Sequence, residues 1–170
     1  MIPLAPFATP EMNWQIREDP LDSPAVLALL REHLDTLAPT APAESRHALD
    51  LDGLRAPDVT FWSVWDGPDL AGFGALKELS PEHGEVKSMR TARAYLRQGV
   101  ASAILRHIIG KARRRGYTRL SLETGAMDFF APAHQLYRSF GFTLCEPFGS
   151  YKPDPNSTFM TLTLKASGAA

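Results

Sequence analysis

The apolar positions of the chain switch repeatedly between a spacing of two residues, typical of strands, and a spacing of three to four, typical of helices. Ser23 followed by Pro24 predicts a helix start, because serine caps a first turn and proline fits the first helical position. The apolar residues of this helix are Val26, Leu27, Leu30, Leu34 and Leu37. APTAPAES (38–45) then interrupts the helical spacing, and ESRHALDLDGL (44–54) predicts a second, short helix.

Several short segments rich in β-branched and aromatic residues predict strands. They are Trp14 to Arg17, VTFWSVW (59–65), LAGFGALKEL (70–79), GEVKSMRT (84–91), TRLSLET (118–124), the start of FTLCEPF (142–148) and STFMTLTL (157–164). DGPD (66–69) is a turn signal, so the second and third of these segments predict a hairpin.

Two further helices are predicted in the second half of the chain. The first begins within RQGVAS (97–102) and ends at Gly116; its apolar stripe contains Val100, Ala101, Ile104, Leu105, Ile108 and Ala112. The second is APAHQLYRSF (131–140), which Gly141 stops. The order of hairpin, strand, helix, strand, helix and two strands predicts an α/β or α+β sheet with helices on its faces.

Length and composition fit one ordinary globular domain. The chain has 170 residues, 44% hydrophobic residues and a net charge of −1, which gives no general attraction to nucleic acid. The basic run Lys111, Arg113, Arg114 and Arg115 is interpreted as a solvated helix end that complements the helix dipole. We expect a flexible segment at 1–11, a single domain at 12–165, a flexible tail at 166–170, and no nucleic-acid partner.

The sequence also argues against membranes, disulfides and metals. Its longest apolar runs are too short to span a bilayer, and the N-terminus lacks the basic and apolar regions of a secretory signal. Cys145 is the single cysteine, which fits a reducing cytoplasm. The five histidines do not show the paired spacing of zinc sites. We therefore expect a cytoplasmic protein without a metal.

RQGVAS has the features of an anion-binding loop. It lies between a strand and a helix, whose first N–H groups lack partners and whose dipole favours negative charge. Gly99 and Ala101 let a ligand approach the backbone, Arg97 adds positive charge, and Gln98 and Ser102 can donate hydrogen bonds. Taken alone the signal is weak, because it matches neither the Walker A loop nor the dinucleotide fingerprint.

The surroundings of this loop carry a more specific resemblance. LRQGVA (96–101) is similar to the Q/R-x-x-G-x-G/A pyrophosphate loop of the GNAT superfamily of acyl-CoA-dependent N-acyltransferases, with Leu96 departing from the pattern. LYRSFGF (136–142) resembles the superfamily's L-Y-x-x-x-G-F signature. The resemblance extends over residues 12–165. It implies a mixed, mostly antiparallel, twisted sheet of about seven strands, splayed in the middle, with helices on both faces.

The resemblance also implies a set of residues for the acyl-CoA. The backbone of Met89, Arg90 and Thr91 would hold the pantetheine arm, and the Met89 N–H would face the thioester oxygen. The pyrophosphate would bind to the loop residues Leu96, Arg97, Gln98, Gly99, Val100, Ala101 and Ser102. Thr124 ends the next strand, where ligands of open sheets tend to bind, and Ala133 would lie near the CoA sulfur. ETGAMDFFAP (123–132) lacks the Asn that many relatives use.

The resemblance assigns proton transfer to two residues. Tyr137 would be the general acid that protonates the CoA thiolate. Glu85 would be the general base, since it precedes the loop glycine at the separation found in the histone-acetyltransferase branch. His83, Glu123 and a chain of water molecules are the alternatives for the base.

The implied activity is transfer of an acetyl group from acetyl-CoA to a primary amine of a small molecule or peptide, by direct attack in a ternary complex. Cys145 has no evident His partner, so we expect no covalent intermediate. Acceptor specificity is expected to come from the N-terminal helices and the late loop 145–160. Phe148 and Tyr151 are expected to wall the acceptor pocket, and Arg46, His47 or Lys152 to hold a carboxylate. The alternative function is a non-catalytic acyl-CoA-binding or regulatory module. The acceptor, the acyl length and the choice between monomer and homodimer stay open.

Overall fold

The computed structural model describes residues 14–165. The predicted flexible segments 1–11 and 166–170 lie outside the described residues. The strands are β1 (Gln15–Glu18), β2 (Val59–Asp66), β3 (Asp69–Ser80), β4 (His83–Thr91), β5 (Arg119–Gly125), β6 (Thr143–Leu144) and β7 (Ser157–Thr163). The α-helices are α1 (Pro24–Leu37), α2 (Leu51–Leu54), α3 (Val100–Arg114) and α4 (Ala131–Ser139).

The seven strands form one mixed sheet in the order β1-β2-β3-β4-β5-β7-β6. Strands β4 and β5 are parallel, because α3 carries the chain back between them, and the remaining neighbours are antiparallel. The prediction of a mostly antiparallel mixed sheet is therefore confirmed.

The sheet opens between its two parallel strands. Their pairing extends only from His83↔Arg119 to Val86↔Leu122. Beyond that point β4 continues to pair with β3, and β5 continues to pair with β7. The predicted splay in the middle of the sheet is thus present, and it creates a cleft between the C-terminal halves of β4 and β5.

A β-bulge lies where the splay begins. Ala75 is opposite Lys87 while Phe73 is opposite Arg90, so Ser88 and Met89 together face the single residue Gly74. Ser88 adopts a positive φ of 55°, which is uncommon for a non-glycine residue. The extra residue shifts the alternation of side chains along β4. As a result Met89 packs into the α3-side core, whereas the Arg90 side chain reaches α1.

Helices cover both faces of the sheet, as predicted. On one face α3 and α4 pack on a core that includes Ile104, Ile108 and Tyr137. On the other face α1 and α2 pack on a separate core around Phe61 and Phe73. The site described below lies where the splay separates these two layers.

Two predicted elements are shorter than expected. The helix predicted within ESRHALDLDGL covers only Leu51–Leu54, because the Asp50 carboxylate caps the Gly53 N–H at 2.9 Å and so starts the helix there. The strand predicted at the start of FTLCEPF covers only Thr143–Leu144. Pro147 follows closely and cannot donate a ladder hydrogen bond.

Close contact between α3 and the bulge gives a stability prediction. A Cβ at Gly74 would lie 2.5 Å from Ile104 Cγ2 and 2.9 Å from Met89 Sδ, so Gly74→Ala overpacks a filled core. We expect the free energy of unfolding to fall by about 1–3 kcal/mol. Gly110→Ala on α3 meets nothing within 4 Å and is the matched control. It should raise stability by about 1 kcal/mol. Urea unfolding measures both, and equal effects would contradict the packing argument.

Candidate active site

The splay between β4 and β5 opens a cleft of about 720 Å³. One half lies at the start of α3 and α4, and the other half is bounded by α1 and the segment 38–48. The wall combines apolar side chains with a few ionisable ones, as is usual for ligand sites. Because β4 and β5 are unpaired here, their backbone groups on the open side can be reached by a ligand.

The start of α3 provides an anion-binding surface at one end of the cleft. Gly99 caps the helix with a φ of 89°, and no side chain caps the first turn. A Cβ at Gly99 would meet nothing within 4 Å, so the space beside it is open. Arg97 also lines the cleft, with a positive φ of 63°. The N–H groups of the first turn and the Arg97 guanidinium fit a pyrophosphate.

Most of the residues predicted to hold acyl-CoA lie on this cleft. They are Met89, Arg90, Thr91, Arg97, Gly99, Val100, Ala101, Ser102, Thr124, Ala133 and Tyr137. Leu96 and Gln98 do not line it. The Leu96 side chain is 54% exposed to solvent, and the Gln98 amide donates a hydrogen bond to the Ala94 carbonyl at 3.0 Å. The side-chain contact predicted for Gln98 would require that bond to break.

The Tyr137 hydroxyl has the properties of a proton donor. The residue is buried beside the cleft, with its ring edge-on to Phe142 at 5.6 Å. Burial raises the pKa of the phenol well above its usual value. No residue in the range 14–165 accepts a hydrogen bond from this hydroxyl. The group therefore keeps its proton at neutral pH and is free to donate it to a ligand.

The end of β5 is tied to the start of α4. Thr124 Oγ1 lies 2.6 Å from His134 Nε2, which also lies 3.2 Å from the Gly125 carbonyl oxygen. A Cβ at Gly125 would clash with the Phe130 ring at 2.1 Å. Hence Gly125 allows the strand end and the helix to approach closely. This contact fixes one side of the cleft.

Glu123 is the carboxylate on the cleft wall. Ser157 donates a hydrogen bond to it at 3.1 Å. Burial raises the pKa of Glu123 to about 7, and the Ser157 hydrogen bond and the Lys87 charge limit the rise. The charges of Glu85 and Asp154 add to it. A carboxylate with a pKa near neutrality can accept a proton at physiological pH and is suited to general base catalysis.

Glu85, the base implied by the sequence, lies behind the wall rather than on it. It is only 2% exposed, and its Oε2 accepts hydrogen bonds from Tyr151 Oη at 2.5 Å and Lys87 Nζ at 3.3 Å. His83 is also off the wall: its Nε2 lies 2.7 Å from Ser121 Oγ, and burial lowers the pKa of its ring. Of the three candidate residues, only Glu123 reaches the cleft.

The acceptor half contains residues that the sequence alone did not single out. Lys87 Nζ donates to the His47 carbonyl at 3.0 Å and to Tyr151 Oη at 2.9 Å, and it links the wall to Glu85. Asn156 from the late loop, Ser88 from the bulge and His33 from α1 also line the cleft. Because side chains alternate between the two faces of a strand, Lys87 lies on the same face of β4 as Glu85, and the sequence pattern indicated its position. The N-terminal helices were expected at the acceptor end, and α1 does bound this half of the cleft, but no sequence signal singled out His33.

Of the residues predicted for the acceptor end, some line the cleft and others lie behind its wall. Arg46 and His47 line the cleft, whereas Lys152 does not. Tyr151 lies behind the wall with Glu85, and Phe148 packs edge-on against it at 5.1 Å. The late loop thus contributes Asn156 directly and supports the wall through its aromatic residues.

Two further properties bear on the chemistry. Within residues 14–165 no group of three His, Cys, Asp or Glu side chains is placed to hold a metal ion. Over the same range no helix is both long and apolar enough to cross a membrane.

A splayed mixed sheet, an open helix start and a cleft lined by Glu123 and Tyr137 are the features expected of an acyltransferase. A family model described as the acetyltransferase (GNAT) family matches residues 26–142. Over 149 residues, the chain is 56% identical to the uncharacterised N-acetyltransferase YsnE of Bacillus subtilis, covering 88% of this chain and 99% of that protein. The chain therefore belongs to the GNAT family and is an N-acetyltransferase, as the sequence predicted.

Solved structures agree with this assignment. A crystal structure described as an acyl-CoA N-acyltransferase of Klebsiella pneumoniae matches with a TM-score of 0.71 at 25% identity, covering 91% of this chain and 99% of that one. A GNAT acetyltransferase of Elizabethkingia anophelis, solved with acetyl-CoA bound, matches with a TM-score of 0.63 at 18% identity over 89% and 99% of the two chains. The second likeness concerns the fold alone. The predicted fold class is confirmed.

Proposed function

We propose that the protein transfers the acetyl group of acetyl-CoA to a primary amine of a small molecule, by direct attack in a ternary complex. The observation that carries this proposal is the presence of Glu123 and Tyr137 on the same cleft as the open start of α3. One residue is suited to take a proton from the amine, the other to give a proton to the leaving thiolate, and the helix start is suited to the pyrophosphate.

The acyl donor would lie along β4. The N–H groups at the start of α3 and Arg97 would bind the pyrophosphate. The backbone of Met89, Arg90 and Thr91 would hold the pantetheine, since β5 does not pair with this stretch. The Met89 N–H lies at the bulge and would face the thioester oxygen. A fixed donor that stabilises the developing oxyanion contributes about 3 kcal/mol to catalysis.

We assign the general base to Glu123 rather than to Glu85. A base must reach the proton directly or through one water molecule. Glu123 lines the cleft, while Glu85 is buried behind Lys87 and Tyr151. Glu123 removes a proton from the ammonium form of the acceptor, and the free amine nitrogen then attacks the thioester carbon.

Tyr137 would complete the transfer. As the carbon–sulfur bond breaks, its hydroxyl donates a proton to the sulfur, and free CoA leaves as the thiol. The proton that the attacking nitrogen loses when it becomes an amide restores the Tyr137 phenol through solvent. The raised pKa of Tyr137 supports this role, because the phenol stays protonated until the thiolate forms. Cys145 does not line the cleft, which supports direct transfer without an acyl-enzyme. We place the reaction in the cytoplasm and propose a monomer or homodimer.

Removal of the Tyr137 hydroxyl tests the acid. We expect Tyr137→Phe to lower kcat about 100-fold, as loss of a general acid typically does, and to leave acetyl-CoA affinity almost unchanged. Release of CoA thiol with a panel of primary amines measures kcat, and calorimetry measures affinity.

Tyr117→Phe is the matched control for this variant. Tyr117 is equally buried, but its hydroxyl donates to Glu78 at 2.7 Å, outside the cleft. The Tyr117→Phe variant should retain the kcat of the unmodified protein. If Tyr137→Phe were as active as Tyr117→Phe, the acid assignment would be wrong. If the unmodified protein bound no acetyl-CoA and released no thiol with any amine, the proposed transfer would fail.

A further inference from the structure

Buried polar atoms without hydrogen-bond partners are concentrated on one wall of the cleft. Across residues 14–165 four such side-chain atoms occur: His33 Nδ1, Ser88 Oγ, Arg90 Nε and His107 Nε2. The first three belong to residues that line the cleft. A buried polar group without a partner is unfavourable and therefore uncommon. Three of them on one wall indicate that a ligand completes their hydrogen bonds.

Arg90 is held in a defined position at this wall. Its side chain extends from β4 to α1, where Nη2 donates to Glu32 Oε1 at 3.0 Å and to Thr36 Oγ1 at 3.3 Å. The Glu32 carboxylate lies on the outer, more exposed side of this pair. These bonds fix the guanidinium but leave Nε–H without an acceptor. Arg90 therefore holds an unused donor in the cleft wall, shielded from solvent.

His33 offers a second donor beside Arg90. It is 6% exposed, and its ring is edge-on to Phe73 at 5.7 Å. Burial, together with the neighbouring Arg90 charge, lowers the pKa of His33 to about 4, so the imidazole is neutral near pH 7. A neutral imidazole can carry its proton on Nδ1 and donate it. Ser88 Oγ can donate as well, so all three unpaired atoms suit an acceptor oxygen.

The charges on the cleft favour an anionic ligand at this wall. The cations on the lining are Arg46, Lys87, Arg90 and Arg97, while the carboxylate is Glu123. Arg97 lies at the proposed pyrophosphate end, and Glu85 pairs with Lys87. Arg46 and Arg90 remain on the acceptor half, and Glu32 pairs with Arg90 through Nη2 only, which leaves the Arg90 Nε–H without an acceptor. Electrostatic complementarity then favours an acceptor that carries negative charge in addition to its amine.

We propose that Arg90 and His33 form a subsite for a carboxylate of the acceptor, so that the acceptor is an amino acid or a related amino carboxylate. This inference rests on the proposed transfer function. Arg90 directly follows Met89, whose N–H we assign to the thioester oxygen. Because Arg90 and Met89 line the same cleft, a carboxylate bound by Arg90 would share that cleft with the reacting amine. Arg46 and His47, predicted for this role from the sequence, would contact more distant parts of the acceptor.

Amino acids and their amides provide a direct test. An amide keeps the amine and the side chain of the amino acid but replaces the carboxylate by a neutral group. We expect at least one amino acid, in a panel that includes β- and γ-amino acids, to have a kcat/KM about 10- to 100-fold above that of its amide, the range for a hydrogen bond to a charged group. The assay is thiol release with the full chain and saturating acetyl-CoA.

Two variants identify the residues responsible. In Arg90→Met the preference for the acid over the amide should fall to near one. In Glu32→Gln the preference should be retained, because the Gln amide oxygen can still accept the Arg90 Nη2 hydrogen bond, as Thr36 Oγ1 does, so the guanidinium keeps its position although the ion pair is lost. Loss of the preference in both variants would indicate a structural effect and would overturn the assignment to Arg90.

The outcomes separate this inference from the proposed function. If amides or simple amines react as well as the acids, the carboxylate subsite is overturned while amine acetylation stands. If no acid reacts, the subsite is overturned, and turnover of the other amines decides whether the transfer itself survives. If acids are preferred and Arg90→Met removes the preference, both proposals are supported.

Discussion

Gly99→Glu should weaken acetyl-CoA binding at least about 100-fold, equivalent to about 3 kcal/mol. Two effects act together. The residue has a φ of 89°, a conformation that side chains other than glycine rarely adopt. The new carboxylate would also lie at the start of α3, where the proposed pyrophosphate needs positive potential. Calorimetric titration with acetyl-CoA measures the loss and requires no knowledge of the acceptor.

Gly116→Glu and Gly99→Ala are the controls for this experiment. Gly116 has a φ of 83° and open space around it, but it follows the opposite end of α3. Gly116→Glu thus introduces the same charge and similar backbone strain away from the cleft, and it should bind normally. Gly99→Ala adds backbone strain without charge, so its affinity for acetyl-CoA should fall only modestly. If Gly99→Glu and Gly116→Glu bound acetyl-CoA with equal affinity, the assignment of the pyrophosphate to the start of α3 would be wrong.

The start of α3 was predictable because it depends on local chemistry. A strand, a glycine-containing loop and an apolar stripe at helical spacing are adjacent in RQGVAS and its flanks. Each feature acts over a few residues, so a sequence pattern captures it. The same holds for the Ser23 cap, whose Oγ accepts the Val26 N–H at 3.3 Å in the structure.

The choice between Glu85 and Glu123 was not predictable in this way. Both are strand carboxylates, and their access to a ligand depends on contacts between distant segments. Tyr151, which follows Glu85 by 66 residues, covers Glu85, while Ser157 contacts Glu123 from β7. The bulge at Ser88 further changes which side chains of β4 face α1. Residue spacing carries none of this information, because loop packing and strand register decide it.

The carboxylate subsite depends on tertiary structure to an even greater degree. His33 and Arg90 come from α1 and β4, and each is unremarkable in its own segment. His33 appears as one more residue of a surface helix, and Arg90 as a strand residue near a loop. Their unpaired atoms become visible only once the helix is packed on the sheet.

Glu123→Gln should lower kcat/KM by about 100- to 1000-fold at pH 8, the usual effect of losing a general base. In the unmodified protein the base must be ionised, so the rate should rise with pH until it levels off above about 7, the pKa of Glu123. Gln cannot titrate, so in the variant the residual rate should not level off near pH 7 but should follow the free-amine fraction of the acceptor. A pH profile of thiol release between about pH 5.5 and 9 extends about 1.5–2 pH units to either side of the pKa of Glu123.

Glu85→Gln is the opposing variant, because Glu85 is the base implied by sequence resemblance. If Glu123 is the base, Glu85→Gln keeps the rise of rate with pH. The rise should move to lower pH, since the Glu85 charge contributes to the raised pKa of Glu123. If instead the rate levelled off near pH 7 in Glu123→Gln but not in Glu85→Gln, the general base would be Glu85.

Protein stability gives a second test of Glu123 that is independent of any acceptor. Burial raises its pKa from 4.5 to about 7 in the folded chain, so folding favours the protonated form. This contribution is fully present below pH 4.5 and is lost as the pH rises through about 7. Above that pH the folded chain holds a partly buried carboxylate, which Glu123→Gln removes. The variant should therefore gain Tm relative to the unmodified protein between pH 5 and pH 8, by an amount that grows with pH. A pH-independent difference in Tm would mean that Glu123 titrates normally, and the argument for it as a neutral-pH base would fail even if the variant were inactive.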